Sequence, residues 1–259
     1  MALQFVRMFT DGIRRVFTRT GGILFVGLLA IQLLVQVSIN TAVVGFVPPE
    51  ARGELGEALG LTLPVSGTVG AALLVVGIVL GSVYFVVLSR ALARPLSQLS
   101  TFPAALYTRR MGRATLSTFV GGVAVAISVA IGLALFILPG VFFAACFLLF
   151  VFAVGVEDRG AVDALRRSWG LSRGNRLELA AVVILSGVAG ALPGVVGAVL
   201  DLAGSPVLAD LLSNTISTVL FVVLYGIVAS AYLQIREGDA GGFDGSGMPR
   251  STGNAVADR

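Results

Sequence analysis

Residues 114–156 read ATLSTFVGGVAVAISVAIGLALFILPGVFFAACFLLFVFAVGV, 43 residues without one charged side chain. A helical crossing of a bilayer takes roughly 20 apolar residues, so the run has the length of two crossings, broken at Pro139 and Gly140 by a tight turn. A single crossing would carry Arg159, Arg166, Arg167, Arg173 and Arg176 to the outer side. Basic loops are held on the cytoplasmic side during insertion, so two crossings are predicted.

Working outward, apolar stretches at 23–47 and 65–88 precede this pair and stretches at 177–200 and 211–235 follow it. With 115–138 and 140–156 they make six spans in one membrane domain, 21–235. Charge placement agrees with six. The first 20 residues, the segment 90–113, the segment 157–176 and the C-terminal stretch together hold 17 of the 18 arginines, and only Arg52 falls on the other side. The expectation is an all-α polytopic bundle in the plasma (inner) membrane, with both termini cytoplasmic. Composition says the same: 12% of residues are charged, against about 25% in soluble domains, and the mean hydropathy is +0.97. A pI near 10.0 would suggest nucleic acid in a soluble protein. Here the arginines have a topological role, and no nucleic-acid partner is expected. The basic region at 1–20 and the apolar run after it are too long for a secretory signal, so a signal-anchor span is expected there.

Two basic segments have helical periodicity. In residues 1–20, Phe5, Val6, Phe9, Ile13, Val16 and Phe17 fall on one face, with Arg7, Asp11, Arg14 and Arg15 on the other. This predicts an interfacial amphipathic helix whose arginines meet anionic lipid headgroups; the plainer alternative is a charged flank that only sets orientation. In EDRGAVDALRRSWGLSRGNR, 157–176, Ala161, Val162, Leu165 and Trp169 share a side, with Asp163 and Arg167 opposite and Arg166 at the border. A second surface-lying helix is expected, anchored by the lone Trp169. The lipid-contact candidates are therefore Arg14, Arg15, Arg166, Arg167 and Trp169. DGIRRVF at 11–17 echoes DALRRSW at 163–169, the trace of a duplication or convergence of two basic juxtamembrane helices. The connector 94–113 has Leu96, Leu99, Phe102 and Leu106 at the spacing of a short surface helix. The C-terminal stretch 236–259, rich in Gly, Ser and Asp, is expected to be disordered and cytoplasmic.

Residues 138–176 resemble a pattern in six-pass membrane families, the YciC-like proteins and the membrane domain fused to glycerophosphodiester phosphodiesterases. The shared elements are Pro139-Gly140 opening a span, Glu157 closing it, then Ala164-Leu165, Arg167-Ser168-Trp169 and Arg173-Gly174. The chain has no phosphodiesterase domain, so the resemblance implies a multipass architecture and no enzymatic name.

Within the spans, Gln32, Gln36 and Asn40 recur every four residues and line one stripe. Such amides turn inward in a bilayer, either as a polar pathway or as hydrogen-bonding glue between helices. Ser213, Asn214, Ser217 and Thr218, with Tyr225 deeper, are candidates to meet them. Gly77 with Gly81, Gly190 with Gly194, and Gly121 with Gly122 are candidate close-packing positions, and Pro193 a candidate kink. No charged side chain lies deep in a span, which disfavours ion-coupled pumping. The absence of histidine and lysine, with Cys146 the one cysteine, removes metal centres, P-loops and His-assisted nucleophiles. No catalytic, metal or cofactor-binding residue is assigned, no cofactor is expected, and the chain is read as not an enzyme. The favoured role is a scaffold or accessory component of a membrane transport or envelope system, with a membrane-protein partner. The alternative is a facilitative transporter for a neutral or lipid-like solute.

Overall fold

The computed structural model describes residues 5–243, and those residues form helices and connections with no strand. In chain order the helices are α1 (Phe5–Val16), α2 (Arg19–Phe46), α3 (Arg52–Ala58), α4 (Gly67–Leu92), α5 (Ala105–Thr108), α6 (Met111–Leu135), α7 (Ile137–Phe147), α8 (Phe150–Gly155), α9 (Ala161–Leu171), α10 (Arg176–Leu202) and α11 (Pro206–Phe243). Six segments are long and apolar enough to cross a membrane: α2, α4, α6, α7 with α8, α10, and α11 as far as Glu237. The chain is an all-α multi-pass membrane protein.

Local chemistry sets the boundaries. Thr18 accepts from the Gly21 N–H and starts α2, and Ser66 does the same for α4 through the Val69 N–H; each hydroxyl satisfies a donor that a helix start leaves free. The hairpin between the third and fourth spans turns at Phe136, which is extended (φ −161°, ψ 157°). Pro139 and Gly140 lie inside α7 instead of forming the turn themselves. Proline in a first helical turn gives up no needed hydrogen bond, because its missing N–H would have had no partner there.

Of the glycines the spacing singled out, Gly77 and Gly121 set close approach, Gly121 with its virtual Cβ 2.2 Å from the Phe150 ring. Others the spacing did not mark do so too. A Cβ on Gly45 would lie 2.2 Å from the Gly67 nitrogen, so α2 and α4 touch backbone to backbone there. Gly77 does face α2, with Val35 2.8 Å from its virtual Cβ, but Gly81, Gly122, Gly190 and Gly194 have open space in front of them. The spacing fixes which glycines share a stripe and not which way the stripe points. Pro193 is buried within a continuous α10, and its carbonyl accepts from Ser213 Oγ at 2.9 Å.

At one end of the bundle the basic segments fold inward. Arg90, on the last turn of α4, is 9% exposed. Its Nε donates to the Gly155 carbonyl at 2.8 Å, its Nη1 to the Arg109 carbonyl at 2.7 Å, and its Nη2 to Asp158 Oδ1 at 3.1 Å. Asp158 (φ 52°) also receives Arg109. Aspartate is among the few residues that enter the left-handed region readily. Beside it, Glu157 accepts from Arg159 Nε at 2.6 Å, Tyr232 Oη at 3.0 Å and Arg167 Nε at 3.3 Å. Burial alone would raise the Glu157 pKa, but the hydrogen bonds from Arg159 and Tyr232 and the Arg167 charge outweigh it, and the carboxyl sits below its ordinary range.

Several sequence expectations are corrected at this end. Residues 94–113 do not form one surface helix, because Pro95 and Pro103 interrupt the segment. It has a 3-10 turn at Leu96–Gln98 and the short α5, with Leu99 and Leu106 buried. α1 is docked on α11, with Met8 fully buried and the Gly12 virtual Cβ 2.6 Å from Ile227 Cα. Its protein-facing stripe is therefore Met8, Gly12 and Arg15, while Val6, Ile13 and Phe17 point away. Arg15 is not a lipid contact: its Nη1 donates to the Leu92 and Arg94 carbonyls at 2.7 and 2.6 Å, filling acceptors that the end of α4 leaves free. Arg167 likewise turns inward to Glu157. α11 continues as helix through Phe243, where a disordered stretch was expected from Arg236; an established helix adds a hydrogen bond for each residue it orders. Residues 244–259 of that expected stretch lie outside the described residues.

Replacing Arg90 with methionine keeps the stem and removes the charge, leaving Asp158 and three carbonyls short of a donor. A loss of about 3–5 kcal/mol is expected, read as a large fall in the detergent melting temperature. Glu157→Gln tests the neighbouring cluster by pH. Because its folded pKa is depressed, Glu157 stabilises above its ordinary value of about 4.3, and this is lost as pH falls through the folded value. The melting temperatures of wild type and Glu157→Gln should therefore differ at pH 7 and converge as the pH drops below about 4.

Candidate functional site

α2 packs on α4 and α11, whereas α6 packs on α4, α7, α8 and α9. Between these groups lies a cavity of about 820 Å³, lined by α2, α4, α6, α7, α8 and α11. Its walls are mostly apolar, no charged side chain lines it, and its polar groups are Gln32, Gln36, Ser82, Thr118, Asn214 and Ser217, with Tyr84 and Tyr225. Phe85, Phe221 and Tyr225 form one aromatic wall, with ring centroids 5.7 Å (Phe85–Phe221), 5.7 Å (Phe85–Tyr225) and 4.6 Å (Phe221–Tyr225) apart. Size and lining are those of a pocket for a largely apolar small molecule oriented by a few polar groups.

The predicted stripe divides by function. Gln32 and Gln36 line the cavity. Gln32 Oε1 meets the Thr218 hydroxyl at 2.7 Å, which joins the stripe to α11, as the polar run of the sixth span allowed. Asn40, 3% exposed, belongs elsewhere: it receives Gln36 Nε2 at 3.2 Å and gives Nδ2 to the Leu59 and Leu61 carbonyls at 2.7 and 3.1 Å. It folds the loop after α3 back over the bundle, and Asp210 Oδ2 completes the fold by accepting the Leu61 N–H at 3.3 Å. Asn214 Nδ2 bonds the Asp210 carbonyl at 2.7 Å.

Sequence reasoning missed Ser82, a single hydroxyl in an apolar run, and Thr118, which stands with Thr115 and Ser117 in a hydroxyl cluster where no spacing marks one member as the inward one. Ser82 Oγ donates within its own helix to the Ile78 carbonyl at 3.1 Å. Thr118 is different. It is 5% exposed, lines the cavity, and its hydroxyl has no hydrogen-bond partner among the described residues. A second cavity of about 450 Å³ lies on the other side of Gln32, Ser217 and Phe221, bounded by α1, α10 and α11. These three residues line both volumes.

The lipid-contact candidates do not converge on either cavity. Arg14 and Arg166 are exposed, and Trp169 is half-buried with its ring 5.7 Å from Phe142 and 5.8 Å from Phe147. The Arg176 guanidinium lies 4.9 Å from the Trp169 centroid and 5.1 Å from that of Phe142, a cation–π arrangement.

A hydroxyl buried without a partner costs about 1–3 kcal/mol. Thr118→Val should therefore leave the ligand-free protein as stable or raise it by about 1 kcal/mol, while weakening retention of whatever fills the cavity; differential scanning fluorimetry and mass spectrometry of retained small molecules measure the two effects.

No curated protein and no solved structure matches the chain. The model of one family, described as a domain of unknown function (DUF7847), matches residues 3–235, and the chain belongs to that family.

Proposed function

We propose that this protein is a non-enzymatic, facilitative carrier that takes a neutral, lipid-like molecule into the large cavity between α6 and the α2–α11 pair. The observation that carries the reading is the lining: about 820 Å³ of mostly apolar wall holding neutral amides and hydroxyls and no charge. Within a bilayer, buried amides without a role are costly. A charged headgroup would find no counter-ion here, so the solute carries hydroxyl, carbonyl or amide groups on an apolar body. Thr118 offers it an uncommitted hydroxyl.

The protein is read as resident in the plasma membrane with its arginine-rich end in the cytoplasm. Support comes from the distribution of charge: among the described residues 15 arginines lie in the segments that share that end and Arg52 in the loop opposite. The exposed faces of α1 and α9, with Arg14 and Arg166, are offered to anionic headgroups. Of the pattern in residues 138–176, Glu157 and Arg167 bond to each other at the basic end and Ser168 ties α9 to the Cys146 carbonyl of α7. The scaffold reading is kept for one reason: so much of the chain outside the spans is ordered at that end, where a membrane-protein partner would dock.

Gln32→Leu combined with Gln36→Leu tests the carrier. Solute retention and counterflow in proteoliposomes should fall at least about ten-fold, the factor that accompanies 1.4 kcal/mol, while the protein remains folded. Unchanged retention and flux, with a stoichiometric membrane-protein partner surviving mild detergent, would sink the carrier in favour of the scaffold.

A further inference from the structure

The arginines at the start of α6 remain after the internal pairings are made. Of the six basic side chains that gather where α4, α6, α8 and α9 end or begin, Arg90 and Arg109 are committed to Asp158, and Arg159 and Arg167 to Glu157. Arg110 and Arg113 form no ion pair or side-chain hydrogen bond among the described residues, and both are exposed. They stand at an unfavourable place. Arg110 is the N-cap of the 25-residue α6 and Arg113 lies in its first turn; there is no acid in that turn and no side-chain cap. The helix N-terminus is already the positive end of the peptide dipoles, so two more cations repel both it and each other. Arg159 approaches from the far side of a dimple of about 10 Å³ lined by Arg110, Arg113, Ala114, Val154, Asp158 and Arg159. The one carboxylate lining that dimple, Asp158, is neutralised by Arg90 and Arg109. Its volume is that of a single water-sized oxygen.

The level of the dimple along the bundle supplies the second argument. α6 begins at Met111 and α8 ends at Gly155, so the three arginines stand where two apolar spans leave the hydrocarbon, which is the depth of lipid phosphates. We propose that Arg110 and Arg113, with the Nη groups that Arg159 keeps after giving its Nε to Glu157, form a discrete binding site for the phosphate of an anionic phospholipid. One of the two non-bridging oxygens enters the dimple, and the guanidinium groups of Arg113 and Arg110 donate to the other. This site is separate from the neutral cavity and from the exposed faces of α1 and α9, and it would hold an annular lipid in a fixed place on the α6–α8 seam.

The test uses the full-length chain in mild detergent, titrated with phosphatidylglycerol, with phosphatidylcholine and with inorganic phosphate. Bound lipid is counted by native mass spectrometry and stabilisation by thermal unfolding. Phosphatidylglycerol should raise the melting temperature at concentrations where phosphatidylcholine does not. Arg110→Gln with Arg113→Gln should need at least about ten-fold more of it for the same shift. Arg19→Gln with Arg173→Gln, which removes the same charge from other exposed positions, should behave as wild type. Arg110→Lys with Arg113→Lys reports on folding and should keep its charge-dependent part of the response. Equal losses in the two glutamine pairs would reduce the effect to general surface charge and overturn the site. An inorganic phosphate response that matches or replaces the lipid response would overturn the lipid assignment in favour of a soluble phosphate ligand.

Discussion

The Arg90 guanidinium holds together parts of the chain that otherwise have little reason to meet. One side chain ties the end of α4 to the carbonyl that closes α8, to the carbonyls of Leu106 and Arg109 in the connector, and to Asp158 before α9. A buried cation is tolerable only when each of its donors has an acceptor, and here the acceptors are the carbonyls that helix ends leave free. Arg15 repeats the device in part, with Nη1 on the Leu92 and Arg94 carbonyls and a buried Nε that has no partner among the described residues. The arginines that dominate the charge count thus close the bundle at one end, and only a few remain for lipid.

That closure explains why an open volume is sustainable further along the bundle. The third span and the helix pair α2–α11 are held through α4 and the basic end, so they need not close on each other deeper in the bilayer. The side chains left on the facing walls are neutral hydrogen-bonding groups spread through apolar and aromatic surface. The Thr218 hydroxyl, donating to the Gln32 amide oxygen, keeps the wall continuous. The partnerless hydroxyl of Thr118 lies on the α6 wall of that volume.

The spans were legible in the sequence because they depend on a scalar property, apolar run length, and on charge asymmetry. The side from which Gln32 and Gln36 would be used was legible for the same reason: polar groups in a bilayer turn inward. Asn40 shared their periodicity and still served a different purpose, because its partners are backbone carbonyls of a loop whose path the sequence does not state. Arg15 and Arg167 were hidden for a related reason. An arginine on a polar helical face reads as exposed, but a long stem lets the head reach a carbonyl or carboxylate several residues away. The echo between 11–17 and 163–169 was more informative than its length suggested. In each copy the small residue (Gly12, Ala164) is buried, the first arginine is exposed and the second is turned into the protein.

The contact between α1 and α11 has a consequence for how the protein is made. α1 is made before α11 and packs on it, with Gly12 against Ile227, and Arg15 waits for the far end of α4. Chains are made from the N-terminus, so α1 is without its partner while the five spans between them are synthesised. During that interval its basic, amphipathic surface gives it a resting place on the membrane face. Final docking is then the closing step of assembly, and a ribosome stalled before residue 206 would leave an inserted chain whose first helix has nowhere to go.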